Sequence, residues 1–180
     1  MQPNIVLLPN KEFIQKVFNL RKQLVDMGFG DVDPREKVLP HTTILYFEEE
    51  ITKDKIKKIS KQLDKLLIKQ QIDMKIIKIT NWEHKVVAKF NTSPLQNIKK
   101  EVEILIGEIN VKSNTEYNKI YGDSIGDHMK LARQVNSNNT NEVIELFQNN
   151  LPIKVHFERI VLIGYETTEK DILWEKKLSI

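Results

Sequence analysis

The stretch LPHTTILYF, residues 39–47, is the length of one strand and opens on three side chains that need hydrogen-bond partners. Successive side chains of a strand point to opposite faces. His41 and Thr43 therefore share one face, and Thr42, Ile44 and Tyr46 share the other. A polar pair at the head of an apolar strand is either satisfied structure or half of a site, and a second strand of the same kind would favour the site. HMKLARQV, residues 128–135, is such a strand, with His128 and Lys130 on one face and Met129 and Leu131 on the other. Strict alternation sends Arg133 to the face of Met129 and Leu131, and only a bend or bulge would bring it round to His128.

The flanking segments repeat an order of strand, helix, loop, histidine strand and helix. NIVLL at 4–8 reads as a strand. Asn10 caps a helix with apolar positions Phe13, Ile14, Val17, Phe18, Leu24 and Val25, which Gly28 and Gly30 end. Thr52 caps a second helix with the stripe Ile56, Ile59, Leu63, Leu66 and Leu67, its lysines forming a solvated face. DMKIIKIT and KVVAKF form a hairpin around NWEH, with His84 at its tip. Ser93 and Pro94 open a third helix carrying Leu95, Ile98, Val102, Leu105 and Ile109. A short helix through Phe147 and two strands, IKVHFERIVLIGYE and ILWEKKL, complete the chain, with His156 on the polar side of its strand. This order suggests an α+β or α/β fold, one domain over 1–180 built from two related lobes, approximately 1–92 and 93–180. If a two-fold relates the lobes, His41, Thr43, His128 and Lys130 meet around one cleft.

Composition narrows the function classes. The chain has 180 residues, 40% of them hydrophobic, and no run near the roughly 18 apolar residues of a membrane span. Its N-terminal MQPNIVLLPNKEF lacks the basic and apolar regions of a signal peptide, so a cytoplasmic protein is expected. There is no cysteine, hence no disulfide, thiolate metal site or thiol nucleophile. The four histidines show no three-ligand metal spacing, and no metal or other cofactor is expected. Net charge is +3, with 17 basic and 12 acidic residues up to Thr92 and 11 against 13 after it. That asymmetry suits a phosphate-bearing ligand and falls short of a nucleic-acid-binding footprint.

HTTI at 41–44 and HMKLAR at 128–133 together resemble the paired His-x-Thr/Ser motifs of the 2H phosphoesterase superfamily, which includes the 2′,5′-RNA ligase-like proteins and cyclic phosphodiesterases. FERIVLIGYETTEKDILWEKKL is similar to that family's closing pair of strands, so the resemblance spans nearly the whole chain. It implies an α+β fold, two pseudo-symmetric lobes of antiparallel sheet with flanking helices around a central cleft. It also implies a metal-independent phosphodiesterase with His41 and His128 as general acid and base, and Thr43, Lys130 and Arg133 on the phosphate oxygens. Tyr117 and Tyr121, in the loop before His128, are positions for stacking on a base. The partner is a 2′,3′-cyclic phosphate, a 2′,5′-linked oligonucleotide, a cyclic oligonucleotide or an RNA end, with no obligate protein partner. Lys130 stands where the family has Thr or Ser, which leaves a second reading, a non-catalytic nucleotide- or RNA-binding protein. RNA end-joining ranks last, because the chain has no P-loop.

Overall fold

The computed structural model describes residues 3–29, 37–47, 50–68, 71–109, 111, 126–133, 135, 137–164 and 166–178. β1 (Asn4–Pro9), α1 (Lys11–Asp26), β2 (Thr42–Tyr46), α2 (Lys53–Leu63) and β3 (Ile72–Trp82) form a first run. β4 (Lys85–Phe90), α3 (Gln96–Gly107), β5 (His128–Arg133), α4 (Thr140–Asn150) and β6 (Lys154–Ile163) repeat its order, and β7 (Ile172–Lys177) follows. Every pairing is antiparallel, in the order β2-β1-β6-β3-β4-β5, with β7 also on β6. This is the α+β architecture predicted from the sequence.

The third strand of each run pairs with the other run. β3 lies between β4 and β6, while β6 carries β1 and β7 along its second half. The first four residues of β3 and of β6 run antiparallel, Ile72 opposite Phe157 and Lys75 opposite Lys154. A four-stranded part (β2, β1, β6 and β7) and a three-stranded part (β3, β4 and β5) become one sheet through this short ladder.

Local chemistry explains the helix boundaries. The Asn10 side chain accepts the Phe13 N–H at 2.9 Å, and Thr52 accepts that of Lys55 at 3.3 Å, each satisfying an N–H the helix leaves free. Gly28 takes φ +70 just beyond α1. Val25 and Leu67, counted in the apolar stripes, are exposed, each one residue beyond a buried leucine. Ser93 does not cap α3. It sits in a 3-10 turn, Ser93–Leu95, with its hydroxyl on the Asn91 side chain, and the α-helix starts at Gln96. His84 occupies the turn between β3 and β4, beside Glu83 at φ 55, and His156 bonds the Asp73 carboxylate from the half-exposed side of β6.

The main core gathers Ile5, Leu7, Leu24, Ile59, Leu63, Met74, Phe147 and Phe157 between the sheet and the helices. α1 packs against β5 and α3 against β2, so each histidine strand is backed by the helix of the opposite run.

Candidate active site

Each histidine strand bulges at the same place. Ile5 lies opposite Leu45 and Val6 opposite Thr43, which leaves Ile44 as an extra residue in β2. Val87 lies opposite Lys130 and Val86 opposite Ala132, which leaves Leu131 as an extra residue in β5. Both bulges fall three residues after a histidine. A bulge inverts the phase of alternation beyond it. Leu131 and Ala132 are buried in succession, and Arg133 returns to the half-buried face of His128 and Lys130. Strict alternation had placed Arg133 on the opposite face, and the extra residue is the reason it does not go there.

β2 and β5 end the strand order yet touch, because the sheet curls. The fully buried Thr42 donates its hydroxyl to the Gly126 carbonyl at 2.7 Å, joining the heads of the two histidine strands. One of the three polar groups of LPHTTILYF is thus structural. Gly126 has φ +87, and a Cβ there would stand 2.8 Å from Leu95 Cδ1 and 3.2 Å from the Thr43 carbonyl oxygen. Gly126→Ala is therefore expected to lower stability by about 1–3 kcal/mol through backbone strain and contact. Urea denaturation measures this, and an unchanged midpoint would mean that the strand heads tolerate displacement.

His41 lies just before β2 and not inside the strand. Its Nδ1–H donates to the Leu39 carbonyl at 2.8 Å; a carbonyl only accepts, so the neutral ring keeps its lone pair on Nε2. Burial pushes its pKa down to about 4. The Leu39 hydrogen bond opposes that shift, and the charges of Lys130, Arg133 and Arg21 add to it. His41 is therefore a neutral imidazole at neutral pH.

His128 is anchored the same way, its Nδ1–H donating to Asp127 Oδ1 at 2.8 Å. Burial lowers its pKa, the Asp127 hydrogen bond and charge raise it, and Lys89 and Lys130 lower it. The other Asp127 oxygen accepts Lys89 at 2.8 Å. Trp82 meets the His128 ring edge-on at 4.7 Å between centroids, and Lys89 lies 5.4 Å from the indole centroid. Lys130 is lowered to about 8 by burial first, then by Arg133 and Lys85.

Of the sequence-predicted site residues, His41, Lys130 and Arg133 therefore share one electrostatic neighbourhood, and Lys130 also acts on His128. Thr43 is buried in β2 next to the Ile44 bulge. Tyr117 and Tyr121 lie outside the described residues. Three participants escaped the sequence reading: Trp82, Arg21 and the Thr42–Gly126 link. Arg21 did leave a signal, since a charged residue stands between Val17 and Leu24 on the buried stripe of α1. No cluster of three or more His, Cys, Asp or Glu suited to a metal occurs among the described residues, and no helix there is long and apolar enough to cross a membrane.

No family model and no curated protein matches the chain. Solved structures match it over nearly its full length. E. coli LigT complexed with 3′-AMP superposes with a TM-score of 0.62 at 10% identity, over 99% of this chain and 98% of LigT. TT0787 of Thermus thermophilus gives 0.58 at 13% identity, over 99% and 98%. The MHV ns2 PDE domain gives 0.52 at 14% identity, over 91% and 99%. With its antiparallel sheet, its flanking helices and its two histidine strands brought head to head, this chain has the fold of the 2H phosphoesterases.

Proposed function

We propose that the protein is a phosphodiesterase acting on a small nucleotide or an RNA end, with His41 as general base and His128 as general acid. The matching Nδ1 anchors carry this reading: each leaves Nε2 as the ring atom available to exchange a proton. His41 Nε2 takes the proton of the attacking hydroxyl, a ribose hydroxyl or water. The oxygen bonds phosphorus, the P–O bond to the leaving group breaks, and His128 Nε2–H protonates the departing oxygen. The ribose attack yields a cyclic phosphate and the water attack on a cyclic phosphate yields a monoester. Thr43, Lys130 and Arg133 hold the non-bridging oxygens. Lys130, a point charge where a hydroxyl is usual, does so without the directed bond of Thr or Ser. LigT is known complexed with 3′-AMP, which supports a nucleotide as ligand here.

The test is a mass-spectrometric screen in the presence of a chelator, comparing wild type with the His41→Ala/His128→Ala double variant. The panel holds 2′,3′-cyclic nucleotides, 2′,5′- and 3′,5′-linked oligoadenylates, and cyclic di- and trinucleotides. A product made by wild type alone establishes the reading and names the linkage. Saturable binding without product would instead favour a binding protein, in which Lys130 has replaced catalysis with affinity.

The pH profile follows from the two shifts. The base must be deprotonated, giving an acid limb near pH 4, and the acid must be protonated, giving an alkaline limb below the usual 6.5. A bell-shaped kcat/KM with an acidic optimum is expected, since kcat/KM reports the free enzyme. Asp127→Asn removes the carboxylate that raises His128, so the alkaline limb should move further down while the acid limb stays. An alkaline limb that stays put or rises on this substitution would contradict the assignment.

A further inference from the structure

The β5 bulge has a buried guanidinium behind it. Arg21, on α1, donates from Nε to the Leu131 carbonyl at 2.8 Å, from Nη2 to the Lys130 carbonyl at 3.3 Å and from Nη1 to the Val38 carbonyl. We propose that Arg21 is a positioning residue for the two-histidine cleft, holding the β5 bulge in shape and tying it to the segment that carries His41. The proposal rests on the catalytic reading of that cleft.

A bulge takes backbone groups out of the ladder, and a buried carbonyl without a donor is costly. Arg21 supplies donors at both carbonyls of the bulge, so its loss disfavours the one local conformation that turns Arg133 toward His128 and Lys130. The third contact reaches the other half of the cleft. Val38 precedes Leu39, whose carbonyl holds the His41 ring. A guanidinium is planar and rigid, so a single side chain fixes the distance between the carbonyls of β5 and the strand head of β2. A lysine at this position would keep the charge but lose the fork.

Arg21 also contributes to the charge around His41. The groups that act on that ring are Lys130 and Arg133 from β5, Arg21 from α1 and the Leu39 carbonyl from its own segment. Removing the guanidinium takes away one of three cations that disfavour its protonation.

Arg21→Met and Arg21→Lys separate these effects, with folding checked by circular dichroism. In Arg21→Met, kcat on whichever panel substrate is turned over should fall roughly a hundredfold, the scale of a displacement of about 1 Å in a site. By NMR, His41 should titrate at a higher pH than in wild type. In Arg21→Lys the His41 titration should stay close to wild type while kcat remains roughly tenfold down. In both, the amide resonances of residues 130–133 and those of Leu39 and His41 should move together. Arg21→Lys is the deciding variant if Arg21→Met does not fold. Folded variants with wild-type kcat and unmoved resonances at both segments would overturn the proposal. If wild type turns over nothing in the panel, the catalytic reading fails on its own account. The coupled movement of the two segments then still decides whether Arg21 ties them.

Discussion

His41→Ala is expected to reduce turnover by about 10²–10⁴-fold, the usual contribution of a positioned acid or base, while nucleotide affinity measured by calorimetry changes little. His128→Ala should do the same. The double variant should be little worse than either single one, because two groups that act in one proton relay are not additive. The reason lies in the anchors. Each ring spends Nδ1 on a structural hydrogen bond, so under the proposed mechanism its removal deletes the chemistry at Nε2 and leaves the proposed phosphate contacts Thr43, Lys130 and Arg133 in place. Turnover that survives both substitutions would sink the two-histidine mechanism. A loss of affinity with kcat intact would make the histidines ligand contacts and nothing more.

Phe157→Ala should lower stability by about 3–5 kcal/mol, the range for deleting a buried phenylalanine, against a total of about 5–15 kcal/mol for a domain. Phe157 is fully buried and meets Phe90 edge-on, 5.8 Å between centroids. It faces Ile72 in one ladder and Pro9 in the other, so a single residue is paired on both sides where the two sheets join. Urea denaturation should show a lower midpoint with an unchanged m-value. A loss below about 1 kcal/mol would mean that the junction closes over the cavity.

The elements were legible in the sequence because each announced itself locally. Asn10 and Thr52 sit where a helix needs a cap, and the apolar residues of α1 and α2 recur at helical spacing. The two histidine strands were legible as a pair, and with them the fold. Their consequences were less so. A bulge is set by how a strand meets its partner, and nothing in HMKLAR marks Leu131 as the extra residue, so the face of Arg133 had to come from pairing. Ser93 had the right side chain for a cap, but Pro94 and Leu95 close a 3-10 turn first and leave it outside the α-helix. Arg21 and Trp82 are separated by long stretches of chain from the β5 residues they contact, which local periodicity does not span. Asp127 directly precedes His128 in the chain, but that Asp127 raises and Lys130 lowers the pKa of this ring, with burial above either, comes from the structure.

The crossing of β3 and β6 has an implication for how such a chain assembles. A β-α-β-α-β run on its own would have a last strand with no place in its own sheet, and an exposed edge where the missing strand belongs. It would become complete only by exchanging that strand with a second copy, as domain-swapped dimers do. In this chain both partners of the exchange are covalently linked, so closure is intramolecular and does not depend on protein concentration. Cutting the backbone between Trp82 and Lys85 would turn one folding reaction into an encounter of two fragments, neither of which carries a finished sheet or a whole cleft.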